Sequence, residues 1–405
     1  MNLLIKWLIY VILISCIFSQ ELNINTLTDI VLQHNSILKL SKKNVEVKTA
    51  QLKQSRKFSN PNLSIESDFG IEPEISGMLT QDILLGGKRK QNIQLREFEL
   101  NLAKLEYDEQ KSQVLNESYH LFIEILFYQE MKSLQKNRIL ISEELLEAVK
   151  KKVIAGKFSP VEASRAKIQL YQEKIKLLKI ENQLPNAWNS LSTFYEDNSL
   201  SYNIAVGHLS DLYHFSTPFK INNEFNINIA PEIVQANIQI QIQNIKVKLE
   251  KLKIIPDIEF GTGIKKNELG NSFQLGVTLP IPLFNQNNSN INRELSVLEM
   301  TQLELITIKN DINSQIENII NSLNEIKSEI ILLETMIIPE ANSAYSIIMD
   351  GYMNGRYTYL EVVDAKEMWF LSQIQYLNAL QDYHNKTWEI NRILGRTNHS
   401  FLGEN

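Results

Sequence analysis

Apolar residues recur along this chain with two different strides, and each stride predicts its own kind of element. Residues 88–155 contain neither Gly nor Pro, and Leu95, Phe98, Leu102 and Leu105 step by three and four. That predicts one uninterrupted helix reaching roughly 100 Å at 1.5 Å per residue. A second such tract covers residues 287–354, interrupted by Pro339, where a kink is expected, and by Gly351 near its end. Each tract stops at a tight turn, Gly156-Lys157-Phe158-Ser159 and Gly355-Arg356-Tyr357-Thr358, after which residues 160–194 and 359–394 read as return helices. On the first of these, Ala163, Ala166, Leu170, Leu177, Ile180 and Leu184 keep coiled-coil spacing, with only Glu173 out of place. Gly87 to Gly156 and Gln286 to Gly355 are equally long, so the two antiparallel hairpins should finish at one level.

The other stride is two. In residues 62–69, Leu63, Ile65 and Phe69 oppose Asn62, Ser64, Glu66 and Asp68; in 257–264, Ile258, Phe260 and Ile264 oppose Asp257, Glu259 and Gly263. Phe273, Leu275, Val277 and Leu279 alternate with polar or small neighbours, and residues 77–84 are their less regular counterpart. An amphipathic helical stretch precedes each pair, over 24–55 and 230–252. The whole string therefore occurs twice at an offset of about 199 residues, which predicts two tandem repeats, 21–199 and 230–395. Between them 200–229 is polar and irregular, a linker or equatorial belt, and 396–405 forms a tail. Strands of about nine residues match the length a tilted strand needs to cross hydrocarbon. A half-buried soluble hairpin in each half is the other reading of the same alternation. If the strands do cross, four cannot close a barrel, and an open edge in lipid leaves backbone groups unpaired. Two copies would supply eight strands and a nearly filled interior, three copies twelve and room for water. The expected fold is mainly α with a small β part. Its long hairpins form a tunnel, and its four strands per subunit contribute to a trimeric, twelve-stranded transmembrane barrel.

Composition narrows the partners. In 405 residues, 41 Lys and Arg stand against 47 Asp and Glu, a net charge of −6, which speaks against a nucleic-acid protein. A hydrophobic fraction of 43% with 14 Gly and 10 Pro excludes wholesale disorder and collagen. Lys6, the apolar run over 7–18 and Ser19-Gln20 read as an export signal covering residues 1–20, too short to span a bilayer comfortably. No apolar run of transmembrane length follows. Cys16, the only cysteine, lies inside that signal; Leu13-Ile14-Ser15-Cys16 resembles a lipoprotein signal, with Cys16 the candidate lipidated residue and ordinary cleavage near Ser19 or Gln20 the alternative. Enzyme chemistry is not expected. The six histidines include no pair at helical metal-ligand spacing, and Gly86-Gly87 lacks a phosphate-cradling pattern. His208 and His214 offer at most a weak metal site, so neither a cofactor nor a bound metal is expected.

The turns carry the remaining chemistry. Lys157, Phe158, Arg356 and Tyr357 combine cations with aromatics, a composition suited to partner contacts, unless the aromatics merely pack the turns. Glu361 and Asp364 share one face of the second return helix, and threefold symmetry would make them two acidic rings; a solvated helix face is the plainer reading.

Several of these elements resemble the TolC-like outer-membrane efflux proteins, and in particular their cobalt-zinc-cadmium resistance branch. The resemblance covers nearly all of the chain after the signal. It is carried by Leu84-Leu85-Gly86-Gly87-Lys88-Arg89, by Leu279-Pro280-Ile281-Pro282-Leu283-Phe284-Asn285-Gln286-Asn287, and by the paired turns, where Gly355, Thr358, Glu361, Asp364 and Ala365 match the family and Gly156, Ser159, Glu162 and Ala166 echo them. Gln286 and Ser289 depart from the family's Arg and Gly. The resemblance implies a homotrimer in the outer membrane whose tunnel reaches into the periplasm, docking through its tips on a periplasmic adaptor protein and an inner-membrane RND-type pump. It also implies a passive duct for heavy-metal cations, with Glu361 and Asp364 at the narrowest point and a hydrogen bond from Tyr352 to Glu162 holding the tip closed. A drug-efflux or type I secretion duct and a non-conducting coiled-coil envelope protein are the competing functions.

Overall fold

The computed structural model describes residues 20–69, 74–196, 202–211, 226–267 and 270–396. The segment expected to be an export signal, with Cys16, part of the 200–229 link including His214, and the tail beyond Arg396 lie outside the described residues. The chain divides into two compact units, each built from both repeats: residues 37–110 with 226–313, and the remaining residues on either side of them.

The first of these units holds a four-stranded antiparallel sheet whose strands are hydrogen-bonded in chain order. Its strands are β2 (Asn62–Asp68), β3 (Glu74–Ile83), β5 (Ile258–Asn267) and β6 (Gly270–Thr278). The central pairing, β3 on β5, joins one repeat to the other, from Ile75 opposite Lys266 to Ile83 opposite Ile258. Register puts Leu63, Ile65, Ile75, Leu79, Phe260, Ile264, Phe273, Leu275 and Val277 on a single face. Each of these side chains is exposed, Leu63 by 67% and Phe273 by 69%. The opposite face carries Ser64, Glu66, Thr80, Glu259, Ser272 and Gln274, with Met78 filling the space above Gly261 and Gly276. A soluble hairpin would cover its apolar side, and this sheet leaves it bare.

Both strand pairs leave the sheet through left-handed residues. Gly86 and Gly87 have φ of +66° and +79°, and a Cβ on Gly86 would lie 2.7 Å from Ile255. Lys88 then reaches across to Asp257 Oδ1 at 2.8 Å and the Ile255 carbonyl at 2.6 Å, tying the first repeat's strand exit to the second repeat's strand entry. At the second exit Asn287 takes the left-handed conformation (φ 60°), and its side-chain amide donates to the Glu250 carbonyl (2.9 Å) and carboxylate (2.7 Å). Asn tolerates such a φ better than other residues with a side chain.

The other unit begins with β1 (Gln20–Leu22), which pairs in parallel with β4 (Tyr202–Ala205). The expected belt is thus partly a strand. Gln129 pins it by bonding both the amide and the carbonyl of Ala205 at 2.9 Å. Helix α1 (Ile24–His34) is capped by Asn23, whose side chain accepts from Thr26 N, and α2 (Ser36–Ser55) follows at once. The single helix expected over 24–55 is therefore corrected to two. Asn35 is extended (ψ 124°) and spends its side chain on the Phe194 carbonyl at 3.0 Å.

The long helix α3 (Lys88–Ile154) is continuous over 67 residues, as its missing Gly and Pro require. Its return is α4 (Pro160–Ser192), which passes through Pro185 unbroken. After α5 (Pro231–Leu252), the second hairpin rises as α6 (Asn288–Leu332) and α7 (Ile338–Met353) and returns as α8 (Tyr359–Ile393). The interruption expected at Pro339 takes the form of a π turn at Leu333–Ile337, just ahead of the proline. Proline has no N–H to give to the preceding turn, and widening that turn lets the helix continue without a break.

Candidate functional site

Both hairpins turn by the same backbone device. At the first tip the amide of Gly156 donates to the Val153 carbonyl (3.0 Å) and that of Lys157 to the Lys152 carbonyl (2.9 Å). At the second, Gly355 and Arg356 bond the carbonyls of Tyr352 and Gly351 at 3.0 and 2.7 Å. This is the Schellman closure, which needs a left-handed residue after the helix. Gly156 and Gly355 supply it with φ of +67° and +77°.

The return helices start differently. Thr358 caps α8 with a complete capping box: its Oγ1 accepts from Glu361 N, and Glu361 Oε2 accepts from the Thr358 amide at 2.7 Å and hydroxyl at 2.8 Å. Those bonds, the backbone one foremost, hold the Glu361 carboxyl below its usual range. Ser159 caps α4 only through Val161 N, at 3.3 Å. Glu162 does not answer it.

Glu162 instead belongs to a cluster between the hairpins. Phe158 and Tyr352 stack with ring centroids 5.4 Å apart and planes 2° from parallel. The Lys152 ammonium sits 4.8 Å from the first centroid and 4.2 Å from the second, and donates to the Tyr352 carbonyl. Its pKa is lowered, by burial first and then by the neighbouring Lys157. Tyr352 is fully buried, and its hydroxyl and Glu162 Oε2 are both buried without a hydrogen-bond partner. Burial, with the Glu162 charge second, pushes the Tyr352 phenol up to about 12. Burial likewise pushes Tyr359 up to about 12. The sequence-expected pair Tyr352 and Glu162 is thus brought into electrostatic range, but within one chain no hydrogen bond joins them.

The remaining tip residues divide cleanly. Phe158 is half-buried, whereas the Tyr357 ring lies where a Cβ on Gly351 would stand and still keeps part of its surface exposed. Lys157, Arg356, Ser159 and Thr358 are exposed, together with Ile154 (87%), Met353 and Leu360. Glu361 and Asp364 are exposed on the first turns of α8, apart from the buried cluster.

Below the tips lies a group of charges that sequence reasoning missed. Glu173, the misfit on the α4 seam, is buried and pairs at 2.8 Å with Arg138 of α3, itself 1% exposed. Arg138 also donates to Glu367 of α8, which binds the first hairpin to the second. Gln135 donates to the Glu173 carboxylate at 2.9 Å, and the fully buried Lys366 donates to Ser142 at 2.9 Å. Burial, its largest cause, lowers Lys366 to about 8. The signal was available: an acid on an apolar seam needs a buried cation opposite it. Among the described residues no group of three His, Cys, Asp or Glu is placed to hold a metal, and no helix is long and apolar enough to cross a membrane.

The family model for outer membrane efflux proteins matches residues 27–195 and 227–396, one match in each repeat. The cobalt-zinc-cadmium resistance protein CzcC of Cupriavidus metallidurans is 24% identical over 366 residues, covering 89% of this chain and 87% of that protein. Among solved structures, CusC superposes with a TM-score of 0.81 at 14% identity, covering 92% of each chain. The outer membrane protein VceC of Vibrio cholerae superposes with a TM-score of 0.77 at 15% identity, covering 92% of this chain and 96% of that one. These likenesses extend over the sheet and both hairpins alike, and with the family match in each half they establish that the chain belongs to the outer membrane efflux protein family.

Proposed function

We propose that three copies of this chain form a passive conduit for heavy-metal cations across the outer membrane and periplasm. The observation that carries the reading is the sheet: one apolar face left bare, the other polar, and both margins, β2 and β6, without a partner among the described residues. In hydrocarbon such margins must pair with another copy. A water-filled lumen follows from the polar face, and the hairpins continue it as the tunnel. Metal cargo is supported by the likeness to a protein named for cobalt, zinc and cadmium resistance. Energy is supplied by an inner-membrane pump acting through a periplasmic adaptor, which meets the tips at Lys157, Arg356 and their exposed apolar neighbours. The gate is the exposed Asp364, with Glu361 fixed beside it by the capping box. The stacked cluster of Lys152, Phe158, Tyr352 and Glu162 holds the hairpins together while the tunnel is closed.

Deletion of the gene followed by growth on zinc, cobalt, cadmium and several antibiotics tests the cargo. Selective metal sensitivity is expected, and selective antibiotic sensitivity would replace metals by drugs. For the gate, Asp364→Asn is expected to raise single-channel conductance in planar bilayers and to weaken block by divalent cations. Unchanged traces would remove Asp364 from it.

A further inference from the structure

Where the apolar face of the sheet gives way to the helices, a cavity of about 840 Å³ opens among Lys57, Phe58, Gln81, Ile83, Arg89 and Arg96. That size falls within the roughly 300–1,000 Å³ typical of small-molecule sites. Its placement follows from strand alternation: Gln81 and Ile83 stand on the same side of β3 as Ile75 and Leu79, so the cavity lies on the apolar side of the sheet, at its helical end. Three cations line it against one carboxylate, Asp82.

The cations are arranged rather than scattered. The Arg89 guanidinium stacks 4.2 Å above the Phe58 ring and donates one N–H to the Arg56 carbonyl at 2.5 Å. Arg96 is steadied by Glu99 at 2.7 Å, and Lys57 meets no carboxylate among the described residues. Beside these charges Phe58 is 78% exposed, and Ile83 and Leu84 are each 47% exposed. A cavity joining three cations to bare aliphatic surface fits a ligand with an anionic head and an apolar tail.

We propose that this cavity binds the phosphate headgroup of a membrane phospholipid, with Arg89, Arg96 and Lys57 around the phosphate and the acyl chains against Ile83, Leu84 and the sheet. The inference rests on the membrane-spanning reading of the sheet. Free phosphate would meet the cations and leave the apolar rim in water, so the lipid uses both halves of the site.

The test uses the full chain purified from outer membranes in detergent. Phosphatidylglycerol is expected to co-purify and to be seen by native mass spectrometry, and added phosphatidylglycerol to raise the melting temperature. Arg89→Gln with Lys57→Gln should weaken that binding about tenfold or more, while Arg89→Lys, which keeps the charge, should retain most of it. Inorganic phosphate should give no comparable rise. The proposal is overturned if no lipid is retained, if phosphate alone stabilises as well, or if the double variant binds as the parent does. A chain that reaches the outer membrane as a trimer without lipid sinks this inference alone, whereas a chain absent from that membrane sinks the functional reading and this one with it.

Discussion

At the second tip Glu361 folds back on Thr358 and completes its own cap; at the first, the equivalent Glu162 leaves Ser159 and buries its Oε2 in the cluster with Tyr352. Both turns carry the same four-residue signature, a hydroxyl followed three places later by Glu. The difference starts one helical turn earlier, where the first hairpin has Lys152 and the second Gly351. Gly351 leaves room for the Tyr357 ring, so the second tip packs on itself. Lys152 fills that room with an ammonium that attracts Glu162 and sends Phe158, the counterpart of Tyr357, onto Tyr352 of the other hairpin. Duplicated sequence thus gives one self-contained tip and one that leans on its neighbour. The asymmetry concentrates the bonds between hairpins on first-repeat residues.

If the first hairpin depends on the second, the severest damage should come from the charges between them. Arg138→Ala leaves Glu173 buried without its cation and should cost about 3–5 kcal/mol, read as a fall in the helical melting transition. The same group makes stability pH-dependent. Lys366 is lowered from its ordinary 10.5 to about 8, so between those values the unfolded chain holds a proton that the folded chain has released. Stability contributed by this residue therefore rises from about pH 8 towards 10.5. Lys366→Met should flatten that rise. Tyr352 and Tyr359, pushed up to about 12 from 10.0, work in the opposite direction, but only above pH 10.

Making the tips more alike gives smaller effects. Gly351→Ala puts a methyl group into the space of the Tyr357 ring and should cost about 1–3 kcal/mol, with the loosened ring reported by its NMR shifts. Gly156→Ala and Gly355→Ala should cost about 1–2 kcal/mol each and nearly the same amount, because both have positive φ and open space around them. Unequal costs would mean that the turns are not the same device. Weakest are the caps: Thr358→Ala should cost about 1 kcal/mol and Ser159→Ala a few tenths, with double-jump chemical denaturation resolving the pair.

What the sequence made legible was whatever repeats at short range. Stride-two alternation located the four strands of the larger sheet, and the absence of Gly and Pro located the long helix. Gly156 and Gly355 announced their turns. Features that depend on a distant partner were misread: Glu173 looked like a fault because Arg138 is 35 positions away. Asn35 looked helical because the Phe194 carbonyl that draws its side chain is 159 positions away. Glu361 stands out in the sequence as an acid paired with Asp364, although Thr358 three places before it spells a capping box. Nothing local told Glu162 and Glu361 apart; Lys152 against Gly351 did.

The seam between β3 and β5 has one more consequence. It lays the closing strand of one repeat against the opening strand of the next, and the ring proposed above requires the same arrangement where β6 of one copy meets β2 of another. Each polypeptide therefore carries within itself a specimen of the joint it must make with its neighbour. Three copies of a duplicated unit would circle the lumen as six near-equivalent staves, and the hydrogen-bonded stagger seen inside one chain becomes the template for the stagger between chains.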